Sequence, residues 1–511
     1  MTDAADLVLT DAEVHTLTDP DETHAAVAVR DGRIVRVGNT YDVEFLVGAE
    51  TRVLDCEGRV VVPGFVDAHT HLETVGSYLV HADLSDADSA DDAVDALRSR
   101  AAAVDDDEPV LGFGYDESTW PDDRYLGRDE LDAVAADRPV VAFREDMHVA
   151  SVNDAALDRF AEDLPEGDVR REGGDPTGVL VEDAVGVVRD AFEPDAEGTR
   201  ALLTAAIDRA NAKGVTAVHD MVRRSHAPQV YRDLDRAGEL TLRVRLNYWS
   251  DHLDALVETG LRTNHGSEMV RVGAVKSFTD GSFGGRTAKL SEPYADAPEE
   301  TGRWVVDPAE LREIVTRADD AGLQCTVHAI GDEAVRETVD ALAATDAPGE
   351  ARHRVEHVEL ADDDLLDRMA DLGVVASMQP NFLKWAGENG LYERRLGERR
   401  TESNRFAAVR AAGVPLAFGS DCMPLDPLLG VHHAVNAPAS DQRLDVTDAL
   451  RAYTRGAAYA GHDEDRTGTV EPGKLADLAV LDDSPWDRPD AVRDVAVAAT
   501  VVGGDVVYDD R

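Results

Sequence analysis

The segment Ala321-Gly-Leu-Gln-Cys-Thr-Val-His328 joins the end of an amphipathic helix, through a glycine, to a short apolar strand. Glycine commonly ends helices, and an apolar run directly behind it is typical of a parallel strand that is buried on both faces. The same order of helix, glycine and strand recurs at residues 210–219, 371–377 and 412–421. The repeat therefore predicts an α/β fold with a parallel sheet.

Eight strands of this kind are predicted, and they begin near Gly64, Val215, Leu240, Val270, Leu323, Arg354, Gly373 and Val414. Eight parallel strands with helices between them predict a (β/α)8 TIM-type barrel over residues 64–465. The first two strands are far apart, and the chain between them has strands of its own at 109–115 and 139–144. Residues 85–205 are therefore predicted to be a long insertion after the first barrel strand, shaping the substrate site.

Both ends of the chain have a different pattern, with short β-branched runs between Asp-Gly and Gly-Asn turns. Each end is too small for an independent core. Residues 1–63 and 466–511 are therefore predicted to form one composite β-sandwich domain.

The composition excludes several classes of protein. The chain has 511 residues with 103 acidic and 51 basic side chains, a formal net charge of −52, and only five of the basic residues are lysine. Such a charge repels phosphate backbones and anionic lipid surfaces, so we expect neither nucleic acid nor membrane as a partner. The expected partner is a small-molecule substrate. Whether the chain also forms a homo-oligomer is left open by the sequence.

The same charge predicts a salt-rich environment. Concentrated salt screens a self-repelling surface, and halophiles use strongly acidic surfaces to stay soluble. No export signal or apolar span is recognisable, and Cys56, Cys325 and Cys422 are too few and too far apart for a disulfide framework. We therefore expect a cytoplasmic protein of a halophilic organism.

Polar residues at the strand ends indicate the chemistry. In Phe65-Val-Asp-Ala-His-Thr-His71, the two histidines share one face because side chains alternate along a strand. Two imidazoles on one face can bind a metal, although a surface pair or a hydrogen-bonded core pair would have the same spacing.

Four more strand ends strengthen the metal interpretation, namely those with Lys276, His328, His357 and Asp421. A lysine that closes a buried apolar strand is costly unless it is paired or chemically modified. The simpler alternatives are an ion pair of Lys276 with Glu73 or Asp280, and core histidines at 328 and 357. The convergence of six such groups on one end of a barrel favours a metal site.

The sequence motifs around these residues resemble those of the metal-dependent amidohydrolase superfamily. The similarity is greatest to the branch of N-substituted formamide deformylases and exoenzyme-regulator-like proteins, amidohydrolase family 3. The matching motifs span the whole chain: Pro63-Gly-Phe-Val-Asp-Ala-His-Thr-His71, Val275-Lys-Ser-Phe-Thr-Asp-Gly-Ser282, Val327-His-Ala-Ile-Gly-Asp332, Arg354-Val-Glu-His357, Gly419-Ser-Asp421 and Gly468-Thr-Val-Glu-Pro-Gly-Lys-Leu-Ala-Asp-Leu478.

The resemblance implies a ligand set. His69 and His71 would hold one divalent metal with Asp421, and His328 and His357 would hold a second. Lys276 would be carbamylated and would bridge them. Zinc is the expected ion, and the count of one or two ions is left open.

The resemblance also implies an activity, hydrolysis of a carbon–nitrogen bond of amide or formamide type by a metal-activated hydroxide. Asp421 would be the catalytic residue that takes the proton from water and delivers it to the leaving nitrogen. Two alternatives are a cyclic amide, carbamate or ester hydrolase with the same site, and a catalytically silent binding or regulatory barrel. The complete ligand set argues against the silent barrel.

Further residues are candidates for substrate binding: Trp120, Arg144, His148, Asp280 and Gln379, with Glu73 and Asp116 as additional wall candidates. Residues 144–153 resemble a segment that the branch uses near its substrate, except that Met147 stands where glycine is usual. A generic zinc deaminase would have glutamate three residues after the strand-five histidine, whereas this chain has Gly331. Cys422 has no accompanying His-Asn pattern, so we expect a small buried side chain there and not a nucleophile.

Overall fold

The computed structural model describes residues 4–122, 124–145 and 147–511. Within them the chain divides into two compact units, one comprising the residues up to Leu72 together with Ile207–Arg511, and the other Glu73–Ala206.

The first unit contains the predicted barrel. Its eight-stranded parallel sheet runs in sequence order through β1 (Phe65–Thr70), β2 (Val215–Val222), β3 (Arg243–Trp249), β4 (Val270–Phe278), β5 (Gln324–Ala329), β6 (Arg354–His357), β7 (Val375–Met378) and β8 (Leu416–Phe418). The amide of Asp421, just after β8, donates to the carbonyl of His69 in β1 (2.7 Å), which links the last strand to the first. The predicted (β/α)8 fold is confirmed, and each strand begins within three residues of its predicted start.

The glycines that end the helices have the conformation expected of them. Helix Asp363–Leu372 begins at Asp362, whose side chain accepts from the amide of Leu365, and it ends at Gly373 with φ 67°. Gly214, which precedes β2, has φ 73°. A β-carbon is strained in this left-handed region, which explains why glycine separates these helices from the strands behind them.

The helices of this unit connect or follow the barrel strands, except the first of them, which lies between strands of the terminal β domain. They are Thr40–Glu44, Ala227–Ala237, Leu253–Glu258, Pro308–Asp320, Asp332–Leu342, Pro348–Ala351, Asp363–Leu372, Leu391–Leu396, Phe406–Ala411, Pro427–Val435, Val446–Arg451 and Ala457–Ala460. Short 3₁₀ segments lie at Ser250–His252, Pro380–Trp385, Gly397–Glu402 and Pro489–Asp494, and a π-helical turn spans Ala452–Gly456.

The two ends of the chain share a sheet, as the composite β-sandwich prediction requires. Strand Val60–Pro63 pairs antiparallel with Leu478–Leu481. The full six-stranded order is Asp505–Asp509, Val497–Val502, Leu478–Leu481, Val60–Pro63, Glu13–His15 and Thr23–His24. A second sheet contains Arg33–Gly38, Ala26–Arg30, Leu7–Thr10 and Arg52–Asp55. Buried side chains of both sheets, including Leu7, Val61 and Leu478, form one core.

The second unit corresponds to the predicted insertion and is slightly longer than residues 85–205. Its six strands are ordered Val169–Glu172, Asp175–Val181, Val149–Val152, Val140–Arg144, Val110–Tyr115 and Ala82–Asp83. Its helices are Ala90–Ala101, Arg128–Asp132, Asp154–Phe160 and Asp183–Ala191, with 3₁₀ turns at Glu117–Thr119 and Glu166–Asp168. Helices Leu72–Val80 and Ala196–Ala212 cross the two unit boundaries. Among the described residues, no helix is both long and apolar enough to cross a membrane.

Candidate metal centre

The carboxyl ends of the barrel strands bring three of the predicted ligands together. His69 belongs to β1, His71 follows that strand, and Asp421 lies just beyond β8. The Oδ1 atom of Asp421 is 3.3 Å from His71 Nε2 and 3.6 Å from His69 Nε2. One ligand atom from each residue lies within 4.8 Å of the others, a spacing that a single metal ion could occupy.

The other three predicted ligands lie beside this group. Lys276 Nζ in β4 is 3.4 Å from His69 Nε2. The ring centroid of His357 is 5.0 Å from that of His69 and 4.4 Å from that of His328. All six residues that the sequence singled out for metal binding are therefore neighbours at one end of the barrel.

One ring nitrogen of each buried imidazole donates a hydrogen bond to an acceptor of the protein. His69 Nδ1 bonds Glu356 Oε2 (2.5 Å), and His357 Nδ1 bonds Gln379 Oε1 (2.7 Å). His328 Nε2 bonds the carbonyl oxygen of Gly281 (3.0 Å). Because each of these nitrogens is the donor to its acceptor, the other ring nitrogen presents a lone pair, which is the arrangement found behind metal-bound histidines.

Burial keeps the same imidazoles neutral. It lowers the pKa of His69, His328 and His357 well below the usual value, and nearby Lys276 lowers each of them further. A neutral imidazole is the form that binds metal, so the electrostatics agree with the hydrogen bonds.

Lys276 is buried at the end of β4, with 1% of its surface exposed. It forms no ion pair within the described parts of the chain, so the pairing considered with Glu73 or Asp280 is not found. Its Nζ lies 4.9 Å from the ring centroid of Phe278. Burial lowers the pKa of its amine to about 8, although Glu356 and Asp421 oppose the shift. The neutral amine is thus more accessible here than on a lysine in water.

The backbone at two of these ligands is strained. Asp421 has φ 51° and His357 has φ 74°, in the left-handed region that residues other than glycine seldom adopt. Asp67 braces one of these turns, because its Oδ1 accepts from the amides of His69 (3.1 Å) and Ser420 (3.0 Å). Backbone strain of this kind is concentrated at functional sites, where contacts with the surrounding structure stabilise the strained conformation.

Comparison with known proteins agrees with this geometry. A profile described as Amidohydrolase family matches residues 52–508 of the chain. The chain belongs to the amidohydrolase family. It is a hydrolase, and its similarity extends over nearly its whole length.

Two curated relatives illustrate that similarity. The putative amidohydrolase YtcJ of Bacillus subtilis is 30% identical, over 97% of this chain and 98% of the relative. The N-substituted formamide deformylase of Arthrobacter pascens is 28% identical, over 100% of this chain and 99% of the relative. Among solved structures, an uncharacterized metal-dependent hydrolase from Pyrococcus horikoshii is 30% identical with a TM-score of 0.81, covering 94% of this chain and 98% of that one.

Behind the six predicted ligands, this amidohydrolase has a buried charged network that sequence reasoning missed. Arg354 Nε donates to Glu356 Oε1 (2.8 Å), and Arg354 Nη1 donates to His219 Nδ1 (2.7 Å). Glu356 is fully buried and connects this network to His69. The signal was present in the sequence, because Arg354-Val-Glu-His357 places two opposite charges inside a short buried strand.

Two of the residues predicted to contact substrate form hydrogen bonds with other groups of the protein. Asp280 is fully buried, and its carboxylate accepts from the amides of Lys289, Ile330 and Gly331. Burial raises the pKa of Asp280 to about 7. Gln379, also fully buried, supports His357. The structure gives both residues positioning roles, and a contact of either with substrate stays a prediction.

Gly331 explains why the deaminase pattern is absent. A β-carbon at this position would lie 2.0 Å from the carbonyl oxygen of Lys289, so no side chain fits there. The glutamate of a zinc deaminase could not occupy this position without moving the Lys289 backbone.

The remaining substrate candidates belong to the inserted unit. Trp120 is 4% exposed and donates its indole N–H to the carbonyl of Ala87 (2.7 Å). Arg144 bonds Asp116 and Glu117, each at 2.8 Å. His148 is mostly exposed and lies 3.1 Å from Glu182. Trp120 therefore belongs to the core of the insertion, and substrate contacts by these residues and by Glu73 stay predictions.

Two details of local sequence are also resolved. Met147 has φ 60°, so the backbone keeps the left-handed conformation that a glycine would take there. Cys422 is partly buried, and burial raises the pKa of its thiol well above the usual value. A thiol of that kind is a poor nucleophile, as the sequence predicted.

Proposed function

We propose that this amidohydrolase cleaves a carbon–nitrogen bond of amide or formamide type in a small molecule, using a divalent metal held by the six residues at the barrel mouth. The single observation behind the proposal is their convergence, with Lys276 Nζ 3.4 Å from His69 Nε2 and Asp421 Oδ1 3.3 Å from His71 Nε2. The name of the Arthrobacter relative, a formamide deformylase, supports this choice of bond.

The residues fit a metal ion by the chemistry of their donors. His69, His71 and Asp421 would hold one ion, and His328 and His357 a second, with zinc the ion we propose because imidazole and carboxylate are ligands that it prefers. Such an ion supplies Lewis acidity, which polarises a carbonyl group and lowers the pKa of water to about 7.

Lys276 would join the two halves of the site as a carbamate. Its neutral amine adds to the carbon of CO2 to form an N–C bond, and one proton leaves to solvent, so that R–NH2 and CO2 give R–NH–COO⁻ and H⁺. The product has two anionic oxygens where the lysine had none. This change would replace a buried amine that lacks an ion-pair partner with a bridging ligand.

Asp421 is the residue placed to move protons. Burial alone would raise the pKa of its carboxyl group, but the hydrogen bond with His71 and the nearby charge of Lys276 help to keep that pKa below the usual value. The carboxylate is therefore ionised and can accept a proton from the attacking water. It can then return that proton to the leaving nitrogen, acting in turn as base and acid.

Replacing the lysine tests the proposal. We expect Lys276→Ala to lose metal content and to lose at least about a hundredfold in rate, because the bridging oxygens disappear. The assay would screen N-formyl and N-acyl amines with added metal in concentrated KCl, and would detect the released formate or amine. Lys213→Ala is the matched control, because that lysine is partly exposed and pairs with Asp426 (2.6 Å). Full activity and full metal content in Lys276→Ala would contradict the carbamate.

A further inference from the structure

The amino ends of β1 to β4 enclose a second polar site, at the opposite end of the barrel from the metal centre. A cavity of about 20 Å³ lies there. It is lined by Val66, Ala217, His219, Arg243, Val244, Arg245, Glu268, Met269, Arg271, Ala458, Asp463 and Thr467. A volume of about 10–15 Å³ already holds one water molecule, so this cavity has room for one water or one monatomic ion.

The cavity wall is rich in hydrogen-bond donors. Arg243 and Arg245 are 8% and 4% exposed, and His219 is 2% exposed. Arg354 Nη1 donates to His219 Nδ1, so the proton of the neutral ring is on Nε2. A β-carbon on Gly461 would lie 2.7 Å from that Nε2 and 2.9 Å from Arg245 Cδ, which places the two groups side by side.

The acidic side chains at the site are already engaged by arginines. The carboxylate of Asp463 binds Arg245 (2.9 Å), Arg271 (3.1 Å) and Arg466 (2.9 Å). Asp477 binds Arg243 (2.7 Å). The contacts of Glu268 are longer, 3.6 Å to Arg33 and 3.7 Å to Arg466.

Positive charge therefore exceeds negative charge locally. The ion pairs at the cavity form two sets with five guanidinium groups and three carboxylates in all. Four arginines pair with two carboxylates in the first set, namely Arg33, Arg245, Arg271 and Arg466 with Glu268 and Asp463. Arg243 pairs with Asp477 in the second. Nη2 of Arg466 is buried and has no hydrogen-bond partner in the described residues. In a chain with a net charge of −52, such a buried excess is otherwise destabilising.

We propose that this cavity binds one chloride ion. A monatomic anion matches its size, accepts from His219 Nε2–H and the arginine donors, and offsets the excess positive charge. The site joins the amino ends of the strands to the segment that contains Asp463, so the bound ion would stabilise this face of the barrel. In TIM barrels this face serves stability and not catalysis.

Anion exchange tests the proposal in solution. Thermal unfolding of the full chain would be followed while potassium gluconate is replaced by KCl at constant potassium concentration. We expect Tm to rise with chloride and to saturate as a single-site isotherm. In Arg271→Gln the chloride-dependent rise should be lost, whereas in Arg98→Gln, a surface change of the same charge in the inserted unit, it should persist.

A crystallographic test of the unmodified protein does not depend on the variant folding. Crystals soaked in bromide should show an anomalous peak in the cavity, in contact with Arg245 or His219. A cavity that contains water only, while bromide binds elsewhere in the same crystal, would overturn the proposal. So would a Tm that is the same in gluconate and chloride.

Discussion

At the scale of single residues, each buried imidazole of the candidate metal centre depends on one acceptor on the side away from the other proposed ligands. His69 has the carboxylate of Glu356, His357 has the amide oxygen of Gln379, and His328 has a backbone carbonyl. These acceptors fix which ring nitrogen faces the site. The geometry of the centre therefore depends on residues that would not touch a metal.

Gln379 offers a direct test of this dependence. Gln379→Met has a similar volume but no strong acceptor for His357 Nδ1, so we expect metal affinity to fall by about 10–100-fold. Gln379→Glu keeps an acceptor and is the matched control. Calorimetric zinc titration would measure both variants, and equal affinity in Gln379→Met and the wild type would show that the hydrogen bond is unimportant.

The residues proposed as ligands could be picked out at this scale, but the groups that support them only in part. His69 and His71 follow from alternation along a strand, and Lys276 from the scarcity of lysine in a chain that has five. Glu356 and Asp67 were not assigned roles, because a charged residue inside a buried strand indicates that it has partners but not which groups they are. Those donors, such as the amide of Ser420, come from distant parts of the chain.

At the scale of elements, the barrel strands determine where the candidate site lies, and the turns at their carboxyl ends determine how its side chains are arranged. Glycine stops and apolar runs predicted all eight strands, because these are local features of sequence. The turns after β6 and β8 were not predicted, because His357 and Asp421 have a left-handed backbone that their side chains do not favour. Tertiary hydrogen bonds hold them in that conformation.

Asp67 tests the connection between the first and last strands. Asp67→Ala leaves the amides of His69 and Ser420 without their acceptor, at a cost of about 1–3 kcal/mol for each buried group. We expect lower stability, measured by denaturant unfolding, together with lower metal occupancy. Asp67→Asn retains Oδ1 and should behave much more like the wild type; if the two variants were indistinguishable, the bracing role would be wrong.

At the scale of the whole molecule, the net charge of −52 predicts a salt-rich environment and indicates nothing about the substrate. It leads us to expect no nucleic-acid partner, but it does not locate the candidate metal centre or the arginine-rich cavity. Pairing between the two ends of the chain was predictable from their shared pattern of short β-branched runs and from their length, since each end is too small for a separate core. Which strand pairs with which depends on contacts across more than 400 residues, such as Val61 with Val480.

The net charge leads us to a prediction about how stability and activity depend on salt. At about 1 M salt the Debye length falls to about 3 Å, so repulsion between surface carboxylates is largely screened. We expect Tm and activity to rise as KCl increases from about 0.1 M to multimolar concentration. A protein that is equally stable and equally active at both ends of that range would contradict the halophilic interpretation.

The metal content of the purified protein is the sharpest test of the proposed site. The purified protein would be reconstituted with zinc, manganese or iron, dialysed, and analysed by inductively coupled plasma mass spectrometry beside His69→Ala. We expect one or two tightly bound ions per chain in the wild type and a clear loss of metal in the variant. A wild-type chain that retains no metal after reconstitution would contradict it.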